Sequence, residues 1–296
     1  MANSYITRTP SSASNRRTFT ISAWVKRSKL STNQVLLSCG TANNTFFRIA
    51  FKTDDTLLVN QETSGSNDFF VQTNRVFRDT SAWYNIVVMV STIDNTAADR
   101  VRIYVNGVRE TSFATASYPS KDFDTLMNTT NAVLIGTLLF GINHYFDGYM
   151  SYFNFLDGQA EDASAFGSTD STTGEWKINT SPSVTYGTNG FFVFKNDAST
   201  VDRSGNGNNF TGAGSMRDSK DCPDNVFATC SKEPIRTVSG TQVKPVLSNG
   251  NTTWDGTGVS AGASITLSTL GATTGKYYME AKVGGSYVNH SRIGVG

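Results

Sequence analysis

The sequence predicts an all-β sandwich, and three observations carry that prediction. Runs rich in Val, Ile, Phe and Tyr alternate apolar and polar residues with a period of two, as in TFTISAWVK at 18–26. Asn106-Gly107, the dipeptide best suited to two successive positive φ angles, sits just behind the run VRIYV and marks a tight hairpin. Between the runs lie polar stretches of Asn, Ser, Thr and Gly, and only 162–166 (DASAF) reads as a helical turn.

Composition narrows the function classes. With 296 residues the chain accommodates one large sandwich and part of a second unit. Lys and Arg total 25 against 24 Asp and Glu, a net charge of +1, so no electrostatic footprint points to nucleic acid or to an anionic membrane. The charged fraction is low, 17%, and apolar runs recur throughout, which excludes a disordered chain. No run approaches the roughly 18 apolar residues of a membrane-spanning helix. MANSYITRTP lacks the apolar core of a secretory signal, so export by that route is not expected. Cys39, Cys222 and Cys230 are odd in number and have no metal-like spacing; 222 and 230 could bridge a short loop, but without an export signal free thiols are favoured. His144 and His290 are the only histidines, too few for a multi-histidine metal site and a poor basis for a histidine-based triad.

Taken in order, residues 1–17 are an extended lead-in ending in a loop with Arg16-Arg17. In 18–26, Phe19, Ile21, Ala23 and Val25 face inward, and Trp24, on the other face, packs under a neighbouring loop. Short strands follow at 35–38, 46–51, 57–60 after the turn Asp54-Asp55, and 69–72. Residues 83–113 read as three antiparallel strands: 83–90 with Ile86, Val88 and Val90 on one face, 100–105 with Val101, Ile103 and Val105, and a return strand from Val108. Strands at 132–135 and 144–156 complete the run.

FTISAWVK, the Trp83-Tyr84 opening, the YVNG hairpin, the late VLIG strand and the FDGY closing strand together resemble a laminin-G-like, concanavalin A-like jelly roll. Where that family closes on a Val-Arg-Ile run, this chain has Tyr152-Phe153-Asn154-Phe155, which leaves open whether another element covers one face of the closing strand. A second departure lies at 189–211. An aromatic strand followed by Asp-x-Ser-Gly-Asn-Gly-Asn normally opens such a domain, yet here it follows the closing strand. The order looks circularly permuted, which close chain ends in a compact sandwich make tolerable. The segment is expected to join the strands at 18–26 and 146–155, with Phe192 or Phe194 facing inward. With AFGSTDSTTGEWK before it and DCPDNVFAT after it, the arrangement over about residues 4–230 resembles fibre-type structural proteins of tailed marine bacteriophages.

Three regions are expected: a jelly roll over 1–230, a linker over 231–250 and, over 251–296, the beginning of a second sandwich. GKYYMEAKV at 275–283 and SRIGVG at 291–296 resemble the opening strands of a SPRY-type sandwich. RIGVG stops mid-pattern, so continuation beyond Gly296, or strand pairing from another subunit, is expected.

Chemistry is sparse. A glycosidase on this fold would carry paired acids aimed at one cleft, but no Glu-x-Asp-x-Glu run occurs, and Asp122 and Asp124 read as turn acids. No phosphate-cradling loop is present, and GNGN at 205–208 is a turn. The expectation is therefore no catalytic residues and no obligatory cofactor. The laminin-G resemblance implies calcium at the sandwich rim, with Asp147 and Asp202 as candidate ligands beside the plainer reading that both cap turns. Tyr145 and Tyr149 are candidate sugar-stacking rings beside the commoner fate of packing. The resemblance implies a non-enzymatic virion structural protein, assembled in the host cytoplasm and displayed as a tail-fibre, head-decoration or adhesion subunit. Its partners would be other virion proteins, copies of itself and host-surface glycans, with no nucleic acid and no membrane. The alternative is a free carbohydrate-binding or carbohydrate-cleaving module.

Overall fold

The computed structural model describes residues 3–138, 144–195, 197–219 and 221–224, and the strands Val246–Ser248 and Thr253–Asp255. The chain divides into two compact units, Met1–Val226 and Phe227–Gly296. In the first, one sheet runs through β2 (Thr18–Arg27), β7 (Tyr84–Ser91), β8 (Val101–Val105), β9 (Val108–Arg109), β12 (Gly148–Asp157) and β15 (Phe191–Val193), in the spatial order β15-β12-β2-β7-β8-β9. The other contains β1 (Tyr5–Arg8), β3 (Gln34–Ala42), β4 (Thr45–Phe51), β5 (Thr56–Thr63), β6 (Ser66–Val76), β10 (Phe113–Ser117), β11 (Val133–Ile135) and β16 (Thr211–Ala213), in the order β10-β6-β5-β4-β3-β11-β1-β16. Every described pairing is antiparallel, so the fold is the expected jelly-roll sandwich.

Between the sheets, the alternation read from the sequence becomes the core. Phe19, Ile21, Ala23 and Val25 of β2 meet Phe47, Ile49 and Phe51 of β4, with the Phe19 and Phe47 rings 5.8 Å apart. Each large side chain so buried contributes roughly 1.5–3 kcal/mol of transfer free energy. The hairpin forms where expected, with Asn106 at φ 48° and Gly107 at φ 82°. Its return strand is shorter than expected. After Arg109 the chain crosses to the opposite sheet and pairs as β10 with β6. β6 is longer than its expected four residues because Ser64 (φ 54°) and Gly65 (φ 80°) close a tight turn that zips it to β5.

Burial on both faces of β2 has a separate cause. The segment after β12 folds back across the outside of its own sheet, with β13 (Gly167–Thr169) and β14 (Trp176–Ile178) forming a small hairpin. Phe166 joins Val87 and Leu156 in one outer cluster, while Trp24, Tyr152 and Phe192 form another, with Trp176 and Tyr186 packed against both. Trp24 thus packs under a neighbouring segment, as its sequence context predicts. The departure at 152–155 is explained as well. The β12–β2 register shifts between Ser151 and Asn154, and Tyr152, at φ 50°, belongs to the outer cluster. Asn154 accepts a hydrogen bond from the Tyr186 hydroxyl (2.8 Å), so that face is covered. The expected helical turn is a 3₁₀ turn at Ala163–Ala165, with Asp162 accepting from the Ser164 N–H.

The displaced segment does join the sandwich. β15 pairs with β12, with Phe155 opposite Phe191 and Phe153 opposite Val193, and β16 pairs with β1. The fully buried inward residues are Phe191 and Val193; of the two expected candidates, Phe192 faces the outer cluster, while Phe194 (φ 59°), just past the strand, packs half-buried against the inner core. Asp157, at the end of β12, ties these parts together. It accepts from the Ser14 hydroxyl (2.6 Å), the Asn128 amide (2.8 Å) and the Asn189 N–H (2.9 Å).

Arg27 is fully buried at the end of β2. It lies 3.1 Å from the Asp55 carboxylate, stacks over the Phe51 ring and donates to the Phe77 carbonyl. In the second unit, β17 (Val246–Ser248) pairs with β18 (Thr253–Asp255). The strands expected at 275–283 and 291–296, with Cys230 and His290, lie outside the described residues.

Candidate functional site

One end of the sandwich holds a cleft of about 1010 Å³. Its wall is the segment leading into β12, which is fastened to both sheets. The His144 carbonyl accepts from Val35 N–H at the start of β3, Phe146 N–H donates to the Gly136 carbonyl after β11, and the Asp147 carbonyl accepts from Ser28 N–H after β2. Gly148 permits this close approach, since a Cβ there would lie 2.1 Å from the Lys26 carbonyl oxygen. Asp147 and Tyr149 therefore flank a fixed point in the backbone.

Two aromatic pairs line the cleft. Tyr5 and Tyr145 have ring centroids 6.3 Å apart, as do Trp83 and Tyr149. Asp221 is held between two elements: Trp83 Nε1–H donates to one of its oxygens (2.9 Å) and Lys26 Nζ sits on the other (2.7 Å). Burial, followed by the nearby Asp221 charge, raises the Tyr149 phenol above its ordinary range, which keeps it a neutral hydroxyl. Burial and then the Arg48 charge lower His144, so its imidazole is neutral near pH 7. Two polar atoms of this wall, His144 Nδ1 and Asp147 Oδ1, are buried without a hydrogen-bond partner. Buried polar atoms in native proteins are nearly always satisfied, and both of these are closed to solvent rather than presented to the open cleft.

Of the four residues singled out from the sequence, Tyr145, Asp147 and Tyr149 come together here. Asp202 does not line the cleft. Its carboxylate accepts from the N–H groups of Phe192, Ser204 and Asn208 and from the Ser204 hydroxyl, at 2.8–2.9 Å, which fastens the 204–208 turn to β15. Among the described residues no group of three or more His, Cys, Asp or Glu could hold a metal ion. Asp122 and Asp124, the nearest sequence approach to an acidic pair, instead hold Arg17, at 3.6 Å and 2.7 Å.

Sequence reasoning did not find Trp83 and Asp221 as site residues. Trp83 stood out only as the opening of a strand, and Asp221 lies 138 positions away in a turn whose partner no spacing rule reveals.

The laminin G model described as the concanavalin A-like lectin/glucanases superfamily matches residues 1–165, more than half the chain. Among solved structures, the heptameric SAP-like pentraxin of Limulus polyphemus is 18% identical, covering 53% of this chain and 71% of its own, with a TM-score of 0.39. The CBM40 of Ruminococcus gnavus IT-sialidase, bound to alpha2,3 sialyllactose, is 17% identical over 45% of this chain and 72% of its own, with a TM-score of 0.35. Domains LG4-5 of mouse laminin alpha1 are 14% identical over 55% of this chain and 44% of theirs, with a TM-score of 0.40. No curated protein matches the sequence.

Proposed function

The chain belongs to the concanavalin A-like lectin/glucanases superfamily, and we propose that it is a non-enzymatic, glycan-binding sandwich displayed on a bacteriophage particle as a tail-fibre, head-decoration or adhesion subunit. The cleft carries the binding half of this reading. Rings of Tyr145, Tyr149 and Trp83 offer apolar faces to the C–H face of a sugar, and the Asp147 carboxyl group lies on the same wall. Binding rather than cleavage is supported by how Asp221 is used: both of its oxygens are taken, by Trp83 and Lys26, so it does not stand free beside Asp147 as the second acid of an acid–nucleophile pair.

Placement on a particle is supported by the resemblance of residues 4–230, in motif order, to tailed-phage fibre-type proteins. Other virion proteins and further copies of this chain would be its neighbours there, and host-surface glycans its ligand. A glycan array probed with the full chain tests the binding half, with a reducing-sugar assay on each bound glycan. Specific binding without sugar release is expected; an empty array defeats it. Stoichiometric presence of the chain in purified particles is expected for the placement, and absence there defeats that part alone.

A further inference from the structure

We infer that Asp221 is a positioning residue of the cleft: it fixes the ring plane in which Trp83 meets a sugar, and acts on the ligand through that ring. This rests on the glycan-binding reading of the same cleft and adds how its platform is held. Trp83, Lys26 and Tyr149 come from three neighbouring strands. Lys26 lies opposite Tyr149 in the β2–β12 ladder, and Val25 opposite Tyr84 in the β2–β7 ladder, so Trp83 stands one step beyond, beside Lys26. Its ring packs against the outer cluster of Trp24, Tyr152 and Phe192 and lies 6.3 Å from the Tyr149 ring.

Apolar packing alone does not choose the plane of an indole, because the torsion that turns the ring is broad and roughly two-fold. The N–H makes the choice. Trp83 Nε1–H donates to one oxygen of Asp221 at 2.9 Å, and Lys26 Nζ holds the other at 2.7 Å. An ionised acceptor makes the indole bond stronger than one to a neutral oxygen. The carboxylate is itself held in place, since the Lys26 and Asp221 side chains are only 10% and 12% exposed. Three residues on, Asp224 accepts from the Tyr152 hydroxyl at 2.8 Å, so the turn that carries Asp221 is fastened to β12 as well. Both Asp221 oxygens already serve protein donors, so its influence on a ligand runs through the indole.

A double-mutant cycle on the full chain provides the test, read as affinity for the tightest-binding glycan of the array. Trp83→Phe keeps an aromatic face but has no N–H for Asp221. Asp221→Ala is expected to weaken binding about tenfold in the native background and less than about twofold in the Trp83→Phe background. Lys26→Gln removes the ion pair but leaves the indole bond, so it should keep affinity within about twofold. The Trp83 indole N–H signal in heteronuclear NMR, identified by its loss in Trp83→Phe, should move in Asp221→Ala and far less in Lys26→Gln. Should Asp221→Ala fail to fold, Asp221→Glu replaces it: the charge is kept and the acceptor displaced, so the same background-dependent loss is expected. Native affinity in the Asp221 variant, or a loss of equal size in both backgrounds, overturns the inference and leaves glycan binding intact, as does an unmoved indole signal. An array with no bound glycan overturns the underlying reading with it.

Discussion

Replacing Phe191 by Ala probes whether the late segment is part of the sandwich that begins with β1. Phe191 is 1% exposed, and its ring lies 5.3 Å from Phe155, 6.3 Å from Phe153 and 4.7 Å from Phe210, the last edge-on. Truncation removes the transfer free energy of the ring and leaves a cavity among three aromatic neighbours, of which Phe153 and Phe155 are held in place by β-sheet pairing. Buried Phe-to-Ala changes of this kind cost about 3–5 kcal/mol. For a unit of this size, 1 kcal/mol corresponds to roughly 2–4 °C in Tm, so a fall of about 6–20 °C is expected. Urea unfolding followed by intrinsic fluorescence gives the free energy directly, provided the denaturant slope is unchanged. Phe191→Leu, which keeps most of the apolar volume, should cost less and guards against outright failure to fold. Val108→Ala, at a side chain 62% exposed, should change stability by no more than about 0.5 kcal/mol. A Phe191→Ala cost below about 1 kcal/mol would refute the reasoning, because a segment that contributes so little is not part of the cooperative core.

Further outcomes follow from buried charge and burial. Asp55→Ala leaves Arg27 buried without its counter-charge and should cost about 3–5 kcal/mol in the same unfolding assay. Burial pushes the Asp55 carboxyl up, but the Ser31 N–H, Arg78 and Arg27 outweigh it and hold the group below the ordinary carboxylate range. Its stabilising share is thus complete above the unfolded carboxylate pKa of about 4 and lost as pH falls through the lower folded value. Unfolding midpoints should fall in that acid range, and less steeply in Asp55→Asn. Burial also pushes the Cys39 thiol up to about 12, so alkylation read by mass spectrometry should spare Cys39 in the folded protein and reach it in urea. Chelation with EDTA should leave glycan affinity unchanged, because the proposed contacts to sugar are made by the rings of Trp83, Tyr145 and Tyr149 rather than through a metal.

Much of the sandwich was legible because its strands follow the period-two rule on at least one face. Phe19, Ile21, Ala23 and Val25 are inward as expected, and Asn106-Gly107 turns where its φ preference dictates. Less legible were features set by long-range partners. A one-residue shift decides whether Phe191 or Phe192 faces the core, and in an unbroken FFVF run both phases look equally apolar. The β13–β14 hairpin is three residues per strand and owes its place to Trp176, whose indole donates to Asn85 (3.1 Å) across 91 positions. At the cleft, Tyr145, Asp147 and Tyr149 were readable as neighbours in sequence around a Phe-Asp-Gly-Tyr turn. Trp83 and Asp221 were not, because they meet only when the chain after β16 returns to the β7 end of the sandwich.

Calorimetric titration of the tightest-binding glycan from the array, into the native full chain and into Tyr149→Ala, tests the central claim most directly. Tyr149 is half-buried beside Trp83, so the variant's unfolding midpoint is compared first and Tyr145→Ala serves as a second probe of the same cleft. The account predicts saturable binding to the native chain, weakened at least about tenfold by loss of the stacking ring. Unaltered affinity in both folded variants would place the sugar elsewhere and contradict the assignment of this cleft.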